Sequence, residues 1–185
     1  KGFYWFGGAN GLIRFTDPAG ERHDAIWYRM GDKTYPLSHN RIRHIYEDKE
    51  QQLWIATDGS INRYDYATRQ FIHYNIVDNT GTYNTNWTYY IFEDTAGQLW
   101  ISTCLGGIFV VDKRKLMQST SGQYIAEQNY SVHNGLSGMF INQIIPDNEG
   151  NVWVLLYNNK GIDKINPRTR EVTKLFADEL TGEKS

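Results

Sequence analysis

One cysteine, Cys104, stands among 185 residues, which leaves no partner for an internal disulfide and no multi-cysteine zinc site. No apolar run approaches the roughly 18 residues that a membrane-spanning helix needs. Basic runs are missing too, and 19 Lys and Arg against 21 Asp and Glu give a formal charge of −2. Nucleic acid is therefore a poor partner, and so is an anionic membrane surface. The chain lacks His-Glu-x-x-His, Gly-x-Ser-x-Gly and any phosphate-binding glycine loop. No catalytic residue, cofactor or metal ligand is assigned on this basis. "DNEGN" (147–151) resembles a calcium loop but lacks the later Glu. His39 and His44 lie five apart, and His23, His73 and His133 are scattered. What the chain has is aromatic bulk: 15% of its residues, with 13 Tyr and 6 Trp, in a sequence 40% apolar. That is ample material for a packed core and argues against disorder.

The bulk is distributed periodically. "EDKEQQLWIAT" (47–57) returns as "EDTAGQLWIST" (93–103), and "DNEGNVWVLL" (147–156) and "GFYWFGG" (2–8) put a Trp in the same slot. Trp5, Trp54, Trp100 and Trp153 are 49, 46 and 53 residues apart. Three residues before each Trp stand Gly2, Gln51, Gly97 and Gly150; six before stand Asp48, Asp94 and Asp147. A second block follows each Trp: "GLIRF", "SINRYD", "GIFVVD" and "GIDKIN". Fixed periods of this length mark repeat architectures.

Each unit reads as strands. "RIRHIY", "WTYYIF" and "FINQII" are rich in β-branched and aromatic residues. Asp-x-x-Gly then suits a tight turn whose Gly takes positive φ, and Gln51 must bear that strain or use another turn. The Trp strand, the "GI" strand and an outer strand such as "QFIHYN" complete a four-stranded antiparallel meander. Apolar residues on both sides of the Trp strand require both faces of the sheet to be covered, which radial stacking achieves. The fold class expected is all-β, a β-propeller fragment of about four blades, with repeats at approximately 1–36, 37–82, 83–135 and 136–180. Trp5, Trp54, Trp100 and Trp153 are expected between blades, and Trp27 on an outer strand at the rim.

These residues resemble two-component regulator propeller repeats. The family pattern is matched by Asp94, Gly97, Leu99, Trp100, Ile101 and Thr103, and by Asp48, Leu53, Trp54, Ile55, Thr57, Arg63, Tyr64, Asp65, Phe71 and Tyr74. It departs at Ala56 and Ser102, and at Leu155 and Leu156, which replace Gly-Thr. The resemblance implies the periplasmic sensor region of a hybrid two-component protein, outside the inner membrane and followed by a span, a kinase and a regulator. It also implies an oligosaccharide ligand. The function expected is a non-catalytic sensor module. The alternatives are a scaffold or dimerisation element with no ligand of its own, and a propeller-fold polysaccharide lyase or hydrolase.

Gly2 falls in the turn slot, and "ELTG" (179–182) echoes "GLSG" (135–138), so three full units and three strands of another are expected from a larger ring. Closure as four blades or by two copies is the alternative. Partners would then be the missing blades or a second copy, with no direct membrane contact. In an antiparallel blade, the start of the first strand and the exit of the second lie on one face. That face collects Asn40, Arg41, Asn86, Trp87, and the segments 57–59, 103–107 and 157–160. Trp87 lies outside the repeated Trp slot. Together with Asn86, Arg41, Asp58 and Asn158 it forms the candidate ligand site, since sugars use aromatic faces with amides and carboxylates. Cys104 reads as a plain loop thiol, and Asn86-Trp-Thr and Asn129-Tyr-Ser fit the glycosylation pattern.

Overall fold

A computed structural model describes residues 2–16, 24–34, 36–120, 122–157 and 161–175. Four antiparallel sheets follow one another along the chain, each with its strands in sequence order. Blade 1 holds β1 (Tyr4–Gly8), β2 (Gly11–Phe15) and β3 (Ile26–Tyr28). Blade 2 holds β4 (Ile42–Glu47), β5 (Leu53–Thr57), β6 (Ser60–Asp65) and β7 (Gln70–Tyr74). Between blades 2 and 3 runs β8 (Ile76–Val77). Blade 3 holds β9 (Thr88–Glu93), β10 (Gln98–Thr103), β11 (Ile108–Asp112) and, beyond an insertion, β13 (Gln128–Tyr130). Blade 4 holds β14 (Ile141–Pro146), β15 (Val152–Leu156), β16 (Ile162–Asn166) and β17 (Glu171–Leu175). The first strands β4, β9 and β14 lie next to one another, with β1 against β4.

Alternation along the Trp strands explains why the sheets stack. Leu53 and Ile55 point into a core shared with blade 1, whereas Trp54 and Ala56 point into one shared with blade 3. Leu99 and Ile101 fill that same second core, and Trp100 enters a third with blade 4. Trp100 is stacked between Phe92 and Tyr130, at 6.0 and 5.6 Å. Trp5 meets the edges of Tyr64 and Phe71 across the first seam. Truncating an aromatic buried as Trp54 and Trp100 are costs about 3–5 kcal/mol.

The recurring Asp has a second task besides the turn. Asp48, Asp94 and Asp147 each take two backbone N–H groups on Oδ1. Each takes the indole N–H of the Trp six residues on at Oδ2, at 2.9 Å in all three. One carboxylate thus closes the turn and satisfies the donor that a buried indole would otherwise strand. In the third copy the Asn151 side-chain amide also donates to Asp147 and contributes most, and with these donors it holds the carboxyl down at about 2. Gln51 bears the strain at the glycine slot, with φ of 61°.

The insertion in blade 3 departs from the expected meander. Asp112 caps a short helix, α1 (Lys113–Gln118), by accepting the Lys115 N–H. β12 (Tyr124–Ile125) then pairs in parallel with β8. Six residues span too little of a helical period for the helix to register against a strand repeat. Trp27 is half-exposed on the outer strand β3, as expected, with Arg29 over its ring. Among the described residues no helix is long and apolar enough to cross a membrane.

Candidate ligand-binding face

Three sets of equivalent positions build one face of the propeller. At the start of the first strands stand Arg41, Trp87 and Phe140. At the exits of the second strands stand Asp58, Cys104 and Tyr157. The two sets are joined identically in each blade, because the Asp58, Cys104 and Tyr157 N–H groups donate to the carbonyls of Arg41, Trp87 and Phe140. The third set lies just inside. The registers of β4–β5, β9–β10 and β14–β15 each skip one residue: Arg43, Tyr89 and Asn142 respectively. A bulge of this kind re-aims the extra side chain. All three line a cavity of about 310 Å³, with Cys104, Phe140, Ile141 and Tyr157 as its other walls.

The backbone frame repeats and the side chains do not. Arg43 is held in a fork by Asp58, at 2.6 and 3.1 Å. Its guanidinium lies 4.6 Å over the Tyr89 ring. The hydrogen bonds that Arg43 donates to Asp58 raise its pKa, so the group stays charged. Arg41 also reaches Asp58, at 3.6 Å, and is more exposed. Burial pushes the Cys104 thiol up, opposing reactivity as a thiolate. Phe140 and Tyr157 are largely exposed. Trp87 has φ of 62°, in the left-handed region that a bulky residue adopts only at a cost. Its N–H donates to the Asp58 carbonyl of the preceding blade, which keeps the strained turn in place and its ring partly in solvent.

A family model described as Two component regulator propeller matches residues 36–59 and 135–158. These two stretches of the chain are two-component regulator propeller repeats. Each matched stretch runs from before a first strand to the exit of the second, so the two enclose Arg41, Arg43 and Asp58, and Phe140, Asn142 and Tyr157. Over its whole length the chain is 99% identical, with TM-score 0.94, to two structures of the extracellular domain of a B. thetaiotaomicron protein. That protein is described in one as a one-component system and in the other as a hybrid two-component system. The chain spans 25% of the length of each. The extracellular domain of another B. thetaiotaomicron hybrid two-component system shares the fold, at TM-score 0.73 and 21% identity over 94% of this chain and 23% of its own. No curated protein matches. The regulator propeller segment is therefore extracytoplasmic.

Of the five site residues expected from the sequence, the regulator propeller brings Arg41 and Asp58 into direct contact and ties Trp87 to Asp58 through the backbone. Asn86 is exposed beside Trp87, its N–H turned back to Asn84. Asn158 lies outside the described residues. Arg43, Tyr89, Phe140 and Asn142 were not expected. A partial signal was available for three of them, since side chains two residues apart on a strand share a side: Arg43 follows Arg41, Tyr89 follows Trp87 and Asn142 follows Phe140. The bulges that turn them inward leave no mark in a single sequence.

Proposed function

We propose that this face is the ligand-sensing surface of a non-catalytic propeller module and that its ligand is an oligosaccharide. One observation carries the reading: three structurally equivalent bulges present an arginine, a tyrosine and an asparagine to one cavity. Packing alone asks for like residues at like positions, as the four Trp slots display. A forked guanidinium, flat phenol rings and an amide make up the set that recognises sugar hydroxyls and ring faces. A strained, exposed Trp87 at the same face supports it, because such strain persists where the surroundings hold it for a purpose.

We further propose that the full-length protein is a hybrid two-component sensor in which a periplasmic propeller reports to a kinase across the inner membrane. Further blades of the same ring would cover the end sheets. Tyr4 and Phe6, stacked on Phe15, are exposed on blade 1, and Ile145 and Leu155 are exposed on blade 4. Calorimetric titration of the whole extracellular domain with an oligosaccharide panel tests the sensing role. Binding heat from at least one glycan, lost in Trp87→Ala and Arg43→Ala without loss of folding, is expected. No heat from a folded, full-length preparation would favour a scaffold, and product formation would make the module an enzyme.

A further inference from the structure

A second cavity, about 490 Å³, shares no residue with that face and lies on the outer rim, where blades 2 and 3 meet. Its walls come from the stretches that break the repeat: 78–83, which follows β8, and 126–134, around β13. Segments that depart from a regular frame are where specific binding is usually placed. The two stretches leave side by side from the parallel pair β8–β12, which is extended by the Ala126 N–H donating to the Val77 carbonyl at 2.9 Å.

Both walls are fixed before any ligand arrives. Asp78 takes the Tyr83 N–H on one oxygen, at 2.8 Å, and the Thr80 hydroxyl on the other. Burial alone would raise the Asp78 pKa, but these donors lower it. On the far side, Asn134 takes the Ser131 N–H at 2.6 Å, closing a reciprocal cap on a single 3₁₀ turn. The phenol oxygen of Tyr83 and Nε2 of His133 stand 3.1 Å apart and brace one wall against the other.

The lining also selects a chemistry. It contains Asp78 and Glu127 and no Lys or Arg, and the nearest ammonium, Lys115, is paired with Glu127 at 3.4 Å, so the lining offers an anionic ligand no free cation. Neither carboxylate is free for a further cation, since Glu127 already pairs with Lys115. Asp78 is committed as above, and Glu127 takes the Tyr124 hydroxyl at 2.8 Å and the Asp112 N–H at 2.9 Å. Among the described residues no cluster of three metal-ligating side chains exists. What the groove offers is the amides of Asn79 and Gln128, the Thr82 hydroxyl and two rings, Tyr83 and His133. Its volume lies within the range of roughly 300–1,000 Å³ usual for small-molecule sites. We propose that this rim groove binds a neutral, hydroxyl-rich ligand, a short uncharged oligosaccharide, independently of the candidate face, with which it shares no lining residue.

Amide exchange on the whole extracellular domain tests this, with galactotriose, cellotriose and mannotriose as neutral probes and trigalacturonate as the charged one. At least one neutral trisaccharide should protect amides in 78–83 and 126–134, while trigalacturonate leaves them unprotected. Thr82→Trp, which fills the groove from an exposed position, should weaken that protection by about tenfold or more in apparent affinity. His133→Ala should weaken it as well, and Trp87→Ala should leave it intact. Failure of every neutral probe to protect these amides in a folded domain would overturn the proposal. Equal protection by trigalacturonate would do the same, as would protection abolished by Trp87→Ala but spared by Thr82→Trp. Because the groove and the candidate face share no residue, loss of either site leaves the other testable.

Discussion

Replacing Lys113 with Met should loosen the seam between blades 2 and 3 more than any surface change. The Lys113 side chain is 2% exposed, and its ammonium lies 2.7 Å from Glu93 and 3.1 Å from Asp48, themselves 5% and 0% exposed. Glu50, 54% exposed, stands farther away at 3.5 Å. Burial by itself would lower the Lys113 pKa, but hydrogen bonds to Glu93 and Asp48 outweigh it and the net shift is upward. Its contribution to stability is therefore complete below the unfolded lysine value of about 10.4 and fades only as pH climbs through the raised folded value. Methionine fills similar space but leaves two carboxylates buried without a cation. Breaking a buried pair this way costs about 3–5 kcal/mol. Asp48 keeps the Trp54 indole and two backbone donors, and Glu93 keeps the Lys49 N–H, so the low end, about 3 kcal/mol, is expected here. Urea unfolding would register it as a lower midpoint at unchanged slope. Adding Glu93→Gln should restore part of the loss by removing one stranded charge. A loss under about 1 kcal/mol, the range of exposed ion pairs, would refute the claim that this cluster bolts the blades together.

Gln51→Gly should raise stability by up to about 1 kcal/mol, because relief of the left-handed strain exceeds glycine's greater unfolded freedom; thermal melting checks it. Gly107→Ala should cost about 2–3 kcal/mol, since φ is +74° and an added Cβ would overlap the Tyr130 carbonyl. Gly97→Ala, at φ +79° where an added Cβ would meet only the Glu93 carboxylate at an ordinary 3.8 Å, should cost only about 1 kcal/mol in the same denaturation assay. His44 takes the Ile91 N–H on Nδ1 and stacks 3.9 Å from Tyr90, and burial lowers its pKa. Its folded value lies below the unfolded 6.5, so its share of stability holds above about pH 6.5 and is lost as pH falls toward the folded value, by at most about 1.4 kcal/mol per unit. Melting curves between pH 7 and 5 should accordingly fall less steeply for His44→Gln than for the unaltered chain.

The repeat and the covered faces were legible because a blade cannot be stable alone, so the residues that join blades must recur. Trp54 and Trp100, and the Asp carboxylates beneath them, follow from that constraint. The helix α1 and the β8–β12 strap were not legible, since they occur once and each element is too short to show a period. Within the candidate face, Trp87 and Arg41 were legible through topology and their departure from the repeat. The part played by Arg43, Tyr89 and Asn142 depends on a one-residue slip between strands. Such a slip is decided by pairing geometry, and Leu, Ile or Trp at the neighbouring positions would look the same with or without it.

The most direct measurement is a crystal structure of the complete extracellular domain with the oligosaccharide that gives binding heat. Sugar density resting on the Tyr89 and Tyr157 rings, with hydroxyls on Arg43 and Asn142, is the expected result. A glycan bound in full occupancy elsewhere, with those four side chains still facing water, would contradict the assignment of this face as the sensing surface.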